Sequence, residues 1–137
     1  MTQAATPQQR TTAKHLRAQT AITFLRMAST GDVRRAYEQY VSPGFRHHNA
    51  YFRGDASSLA AGMERNAAEN PDKTFQVLRT IAEGDLVVIH SRTRLRPGVP
   101  EVAVVHILRF DEENRIVELW DVGQPVPAHS PNENGMF

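Results

Sequence analysis

The spacing of apolar residues changes at about Thr74, and this change constrains the fold more than any other feature of the chain. Before Thr74 the apolar residues recur every three or four positions, as on a helix with one buried face. After it, apolar and β-branched residues form short runs separated by turn residues, which is typical of strands. Helices followed by consecutive strands predict an α+β protein, because the sheet must bury one face against the helical layer.

Capping and turn residues divide the first half of the chain into three predicted helices. Residues 1–10 are predicted to be disordered, and the first helix then ends near Gly31. Asp32 is a suitable N-cap for the second helix, which the Ser42-Pro43-Gly44 segment ends. The third begins at Asp55 and stops at Asn70-Pro71. Residues 45–52 are too short and too polar for a core strand of their own, and we interpret them as a link.

The second half predicts a curved antiparallel meander. Its four strands are residues 74–82, 86–94, 102–110 and 115–122. Residues 124–137 hold three Pro, two Asn and one Gly, and predict an extended tail that could cross a neighbouring subunit. We therefore expect one domain over residues 11–123, with a sheet of about four long strands packed on three N-terminal helices.

Composition argues against several classes of partner. The 137 residues include 16 Lys and Arg against 15 Asp and Glu, and a net charge of +1 is too small to favour nucleic acid or an anionic membrane. The chain has no Cys, which excludes disulfides and thiolate chemistry. The N-terminal residues lack the apolar segment of a signal peptide, and no run is long enough to span a bilayer, so a cytoplasmic location is expected.

The register of the last two strands decides which side chains meet. If residues 111–114 form the turn, His106 lies opposite Leu119 and Val104 opposite Asp121. Alternate residues share a face, so His106 and Asp121 belong to one apolar wall. The other face carries Ala103, Val105, Ile107, Arg109, Ile116, Glu118 and Trp120. It is also apolar, which predicts a homodimer packed sheet against sheet. A slip of one residue would instead turn Glu118 and Trp120 into the pocket.

Asp121 and His106 are the candidate catalytic residues. A carboxylate against apolar walls loses hydration and becomes a better general base. An imidazole on the same wall can hydrogen-bond a developing enolate or relay a proton. The alternatives are structural: Asp121 would accept hydrogen bonds from backbone or Arg groups at the strand end, and His106 would be a hydrogen-bonded core histidine. Spacing alone does not decide between these interpretations.

Other polar residues are candidates for contacting a ligand. Consecutive residues of an extended link point to opposite sides, so only one of His47 and His48 can face a pocket. A metal site built from these two and His90 is disfavoured, because adjacent histidines rarely ligate one ion and no H-x-H or H-E-x-x-H pattern is present. Tyr51 could donate its hydroxyl to a ligand carbonyl. The sequence has no phosphate loop or nucleophile elbow, so we expect acid–base chemistry without a cofactor or metal.

The chain contains FRHHNA at residues 45–50, IAEGDLV at 81–87 and IVELWDVGQPVP at 116–127. Together these segments resemble the SnoaL-like polyketide cyclase family of the nuclear transport factor 2 (NTF2)-like superfamily, and most closely its aldol-condensation branch. The resemblance covers about residues 15–137. It implies a cone of curved antiparallel sheet closed by helices, commonly dimeric through the sheet.

The resemblance also implies roles for individual residues. By motif position Asp121 matches the acid/base of a cofactor-free intramolecular aldol closure, His106 the assisting histidine, and Asn49 a pocket asparagine. Many relatives have a second acidic residue shortly after Trp-Asp, where this chain has Gln124. The tail also differs from that of the antibiotic cyclases, which favours a smaller substrate than a polycyclic polyketide.

We therefore expect an enzyme that acts on a small carbonyl compound by aldol-type cyclisation or isomerisation. The substrate-binding candidates are His47, His48, Asn49, His90, Tyr51 and Trp120. The rival hypothesis is a non-catalytic pocket for a small hydrophobic or aromatic molecule, and convergence of Asp121 and His106 on one cavity would favour the enzyme. An epoxide hydrolase of similar fold would need an Asp-Arg-Asp set, and the sequence offers no convincing second pocket aspartate.

Overall fold

The computed structural model describes residues 2–137. Within this range, three helices and five strands follow one another in the order helix, helix, strand, helix and four strands. The helices are α1 (Pro7–Ser29), α2 (Val33–Tyr40) and α3 (Ala56–Glu69). The strands are β1 (Val41–His47), β2 (Thr74–Glu83), β3 (Leu86–Arg94), β4 (Val102–Phe110) and β5 (Ile116–Pro125). Their order in the sheet is β1-β5-β4-β3-β2. The α+β class, the three helices and the four-strand meander are confirmed, and β1 is an additional strand.

The first helix starts earlier than predicted. It begins at Pro7, whereas residues 1–10 were expected to be disordered. The Thr6 hydroxyl accepts a hydrogen bond from the Gln9 N–H, and the Gln9 side chain accepts one from the Thr6 N–H. This reciprocal capping box, with Pro at the first helical position, stabilises a helix start that apolar spacing does not show. None of the helices in the described part of the chain is long and apolar enough to cross a membrane.

The additional strand β1 lies at the edge of the sheet and runs parallel to β5. It includes the Ser42-Pro43-Gly44 segment, which was expected only to end a helix, and part of the predicted link. Its pairing is irregular between Val41 and Arg46 and regular again where His47 pairs with Leu119. An irregular edge strand tolerates a proline, because the missing N–H is not needed in the ladder. The link interpretation is therefore wrong for residues 45–47.

The β4–β5 hairpin differs from the predicted register by two residues, so His106 lies opposite Asp121 and not opposite Leu119. The turn between Phe110 and Ile116 is one residue longer than expected, and Asn114 within it has a left-handed conformation with φ of 60°. A bulge next to Ile116 adds the second residue. Because the total shift is even, His106 and Asp121 stay on one face of the sheet, as predicted.

The bulge changes the face of one residue. Ile116 was predicted to point away from the helices together with Glu118, but it is fully buried beside Phe110. We call the side of the sheet that packs on α1 and α3 the inner face, and the opposite side the outer face. The bulge places both Ile116 and Leu119 on the inner face, although they are three residues apart.

The core lies between the helices and the inner face. Its largest fully buried side chains are Phe24, Val33, Val87, Ile89, Leu108, Phe110, Ile116 and Leu119. At the other end of the sheet, β5 continues to Pro125, three residues beyond the predicted end, and the Val126 N–H then donates to the Glu101 carbonyl. The end of the segment after β5 packs against β3 of the same chain, where the Arg92 guanidinium lies 4.6 Å from the centre of the Phe137 ring.

Candidate active site

A cavity of about 270 Å³ lies between α1, α3 and the inner face of the sheet. Most of its wall is apolar. The apolar lining side chains are Leu25, Ala28, Phe52, Leu59, Met63, Phe75, Leu95 and Val104, and the polar ones are Ser29, Asn49, Asn66, Lys73, Thr93, His106 and Asp121. Asp121 is the only carboxylate that lines it among residues 2–137. The two predicted catalytic residues therefore face the same cavity.

Asp121 and His106 are direct partners across the β4–β5 ladder. Directly opposite residues in an antiparallel pair have Cβ atoms about 4.5–5.5 Å apart, so both side chains approach one region of the cavity. Within residues 2–137, Asp121 makes no ion pair, and its single side-chain hydrogen bond leaves the Oδ1 atom free. The structural alternative, a strand-end aspartate occupied by backbone or Arg donors, does not describe this carboxylate.

Asn49 holds the Asp121 carboxylate. Its amide Nδ2 donates to Asp121 Oδ2 at 2.8 Å. The orientation of the Asn49 amide is fixed because its Oδ1 atom accepts the Tyr51 N–H at 3.0 Å. The backbone N–H of Asn49 donates to His47 Nδ1 at 3.1 Å. Asn49 thus links the segment between β1 and α3 to the last strand. Asn49 lines the cavity, and its contact with a substrate stays a prediction.

His47 supports this arrangement from the core. It is buried, and because its Nδ1 atom accepts from the Asn49 N–H, its Nε2 atom carries the proton and donates to the Arg53 carbonyl at 2.5 Å. Both ring nitrogens are therefore occupied by backbone groups. His47 does not line the cavity, so its predicted role in contacting the substrate is replaced by a role in positioning Asn49.

His106 is a neutral imidazole at physiological pH. Burial lowers its pKa from 6.5 to about 4, against the opposing attraction of the Asp121 carboxylate. The Nδ1 atom is buried and has no hydrogen-bond partner among residues 2–137, and the ring edge contacts the Phe75 ring at a centroid distance of 6.4 Å. A neutral imidazole can donate one N–H to an oxygen that gains negative charge, which is the function predicted for this histidine.

The lowered pKa of His106 predicts a specific loss of stability in mild acid. The unfolded chain takes up the proton near pH 6.5 but the folded chain only near pH 4, so stability should fall as the pH decreases through this interval. Urea unfolding at pH 7.5 and 4.5 should show that wild type loses roughly 2–3 kcal/mol more than His106→Gln. The exposed His15, changed to Gln, is the control and should behave as wild type. Equal losses in wild type and His106→Gln would contradict this account.

Glu118, unlike Asp121, is surrounded by side chains that donate hydrogen bonds to its carboxylate. It is buried on the outer face and accepts hydrogen bonds from Arg46 Nε at 2.8 Å, His48 Nε2 at 2.7 Å and Arg109 Nη2 at 2.9 Å. These donors lower the pKa of Glu118 to about 2, and the hydrogen bond from Arg46 has the largest effect. The carboxylate is thus fully engaged in an ion-pair cluster. The register slip that would have placed Glu118 in the pocket does not occur.

Four substrate-binding candidates do not reach the cavity. His48 and Trp120 stack on each other on the outer face, with ring centroids 4.9 Å apart. His90 is also on the outer face, where its Nδ1 atom lies 2.9 Å from the Arg79 guanidinium. Tyr51 is 91% exposed. These positions correct the expectation that the four residues line the pocket, because strand parity assigns the first three to the other side of the sheet.

Lys73, Asn66 and Phe52 all line the cavity; sequence reasoning missed the first two and indicated only a packing role for Phe52. Strand alternation carries a signal for Lys73, because it is two residues before the inward-facing Phe75. Asn66 is on α3 between apolar positions, and Phe52 lies in a segment whose conformation the sequence pattern leaves open. Phe52 reaches the cavity because the segment between β1 and α3 places it against Gly62 of α3.

Phe52 packs directly against Gly62 in the middle of α3. A Cβ atom at Gly62 would lie only 2.3 Å from Cε1 of the Phe52 ring, so any larger residue displaces the ring. We expect Gly62→Ala to lose about 1–3 kcal/mol of stability through this clash, in spite of the higher helix propensity of Ala. The control is Gly54→Ala, where the nearest atom is 3.8 Å away and the change should be within about 0.5 kcal/mol. Urea unfolding measures both, and a stabilised Gly62→Ala would contradict the packing described.

Solved structures with the same fold come from several bacteria. AclR of Streptomyces galilaeus, a candidate hydroxylase, has a TM-score of 0.66 at 20% identity, over 81% of this chain and 90% of AclR. IdmH of Streptomyces antibioticus, a candidate polyketide cyclase, has a TM-score of 0.64 at 19% identity, over 79% and 91% of the two chains. A SnoaL-like protein of unknown function from Burkholderia thailandensis has a TM-score of 0.66 at 18% identity, over 81% and 97%. At these identities the likeness establishes the fold alone.

The chain has an NTF2-like α+β fold, in which helices and a curved sheet surround a cavity. No curated protein matches the sequence significantly. The profile of the SnoaL-like domain matches residues 21–119, which is most of the chain, and the protein belongs to the SnoaL-like family. The resemblance to the SnoaL-like family is confirmed.

Proposed function

We propose that the protein is a cofactor-independent acid/base enzyme acting on a small carbonyl compound. The observation that carries the proposal is a pair of side chains on the wall of one mainly apolar cavity: the Asp121 carboxylate, which has no ion pair within the described residues, and the neutral His106 imidazole. A passive hydrophobic binding site has no need of an unpaired carboxylate, which is costly to remove from water.

In the proposed reaction Asp121 removes a proton from the carbon next to the substrate carbonyl. The electron pair of the C–H bond moves into an enolate, whose oxygen accepts a hydrogen bond from the His106 N–H. In an aldol-type closure the enolate carbon attacks a second carbonyl of the substrate, and the proton held by Asp121 passes to the new alkoxide. In an isomerisation the same proton returns to a different carbon. Asn49 keeps the carboxylate in place through its hydrogen bond to Oδ2.

Two further observations support this choice. IdmH, which shares the fold, is described as a candidate polyketide cyclase. The fold is thus one for which carbonyl chemistry of this kind has been proposed, although fold alone does not determine function. The cavity volume of about 270 Å³ suits a small molecule, and its lining offers donors and acceptors beside apolar walls. The proposal therefore concerns small ketones, aldehydes or keto acids.

The test is exchange of α-protons with solvent. Small carbonyl compounds are incubated with the protein in D₂O, and ¹H NMR follows the loss of the α-proton signals. The proposal expects exchange well above the rate in buffer for at least one compound that binds. Binding of such compounds without any exchange would contradict it and favour the rival, a non-catalytic small-molecule binding protein.

We also propose that a second copy of the chain covers the outer face. Ile81, Leu86 and Val122 are exposed there, and the half-buried Trp120 is two residues from Val122 on the same face. Sedimentation equilibrium should give twice the 15.4 kDa of the chain, and Val122→Arg should reduce the mass to that of one chain. Leu16→Arg, at an exposed position on α1, is the control and should leave the dimer intact. A monomeric wild-type protein would refute this assembly.

A further inference from the structure

A lysine that has no counter-ion among residues 2–137 lines the active-site cavity. Lys73 is partly buried, and burial lowers the pKa of its ammonium group. Its Nζ atom donates to the Asn66 Oδ1 atom at 2.6 Å and forms no salt bridge with any group of residues 2–137. Two of the three ammonium donors are therefore available. A partly desolvated cation that lacks a carboxylate partner is costly, unless a bound anion completes the site.

The backbone around Lys73 is fixed by its own hydrogen bonds. The Lys73 N–H donates to the Asn70 carbonyl at 3.1 Å, immediately after α3. Asn70 is buried, and its side chain donates to the Asn66 carbonyl at 2.8 Å and accepts from Arg96 at 3.1 Å. Lys73 is thus held at the cavity wall before a ligand arrives, which reduces the entropy lost on binding.

Lys73 lies away from the acid/base pair. His106 pairs with Ile89 on β3, whereas Phe75, two residues after Lys73, pairs with Thr93. Thr93 is four residues further along β3 than Ile89, which corresponds to roughly 13 Å. A ligand that reaches both places needs several bonds between its anionic group and its reacting carbonyl, and the apolar lining suits the connecting chain.

We propose that Lys73 and Asn66 bind the carboxylate of an organic acid whose carbonyl group lies at Asp121 and His106. The inference rests on the proposed function for the carbonyl end, but not for the carboxylate end. Asn66 Oδ1 is used by Lys73, so its Nδ2 atom is left to donate to the same carboxylate. One ammonium and one amide match a monoanion better than a phosphate, which usually recruits more donors. The substrate class is therefore a keto acid.

The test compares 7-oxooctanoate with 7-oxooctanamide by titration calorimetry. The two probes share chain length and ketone, and differ in the charge at one end. Wild type should bind the acid at least about tenfold more tightly than the amide. Lys73→Met, which keeps the length of the stem, should lose this preference. The matched control is Lys14→Met, since Lys14 is exposed on α1 and the chain has only these two lysines.

A second readout does not depend on the variant folding. Biosynthetic ¹³C labelling of lysine leaves all three ammonium donors in place, and the Lys73 Cε signal of the wild-type protein should shift on addition of the acid but not of the amide. Equal affinity of wild type for the two probes, an undiminished preference in Lys73→Met, or no binding of the acid at millimolar concentration would overturn the proposal.

The outcome separates this proposal from the proposed function. Asp121→Asn should retain the preference for the acid, because the carboxylate contact is remote from residue 121. A preference for the acid without α-proton exchange would support the Lys73 site and refute the acid/base reaction. Exchange of α-protons without a preference for the acid would support the acid/base reaction and refute the Lys73 site.

Discussion

The Asp121→Asn variant is expected to exchange the α-protons of a bound ketone at least about 10²-fold more slowly than the wild-type protein. The asparagine keeps the shape of the side chain and a carbonyl oxygen to accept from Asn49, but it cannot take up a proton. Ligand affinity and melting temperature should change little, because Asp121 makes no ion pair with any other group in residues 2–137.

The effect must be specific to this carboxylate. Asp85→Asn, at an exposed turn between β2 and β3, is the matched control and should exchange as wild type does. Circular dichroism and urea unfolding check that both variants are folded. If Asp121→Asn retains the wild-type exchange rate, Asp121 has no part in the reaction, and the proposed mechanism is wrong.

Removing the Ile116 side chain beyond Cβ should cost about 2–5 kcal/mol, the range for Ile→Ala in a packed core. Ile116 is fully buried against Phe110, so Ile116→Ala leaves a cavity at the start of β5. Since single domains are stable by only about 5–15 kcal/mol, this loss should be large in urea unfolding.

Val117→Ala provides the matched comparison. Val117 lies in the bulge and is only partly buried, so its truncation should cost about 1 kcal/mol or less. The simple alternating register predicts the opposite order, with Val117 inside and Ile116 outside. A larger loss for Val117→Ala would therefore contradict the bulge and the register described for β5.

The register of β4 and β5 shows which part of the fold could be predicted. Apolar periodicity was sufficient for the fold class and for placing His106 and Asp121 on one face. It did not predict the longer turn with Asn114 in a left-handed conformation, or the bulge beside it. The extra turn residue and the bulge both depend on local backbone geometry, which apolar periodicity and strand parity do not encode. Each shifts the register by one residue, and His106 and Asp121 remain on one face only because the total shift is even.

The misplaced histidines, His47 and His48, trace to the one strand that the sequence pattern did not predict. β1 is a short, irregular edge strand with a proline, so its pairing with β5 is set by tertiary contacts and not by its own pattern. Its position decides that His47 is buried and His48 lies on the outer face. Lys73 was overlooked for a different reason, since a charged residue before a strand is ordinarily exposed.

The proposed chemistry requires that a ligand binds in the inner cavity beside His106, and not at the outer face where His48 stacks on Trp120. Nuclear Overhauser effects between a carbonyl ligand and the protein with ¹³C-labelled histidine test this directly. We predict cross-peaks from the α-protons of the ligand to the ring protons of His106. Cross-peaks to His48 or His90, with none to His106, would contradict the account.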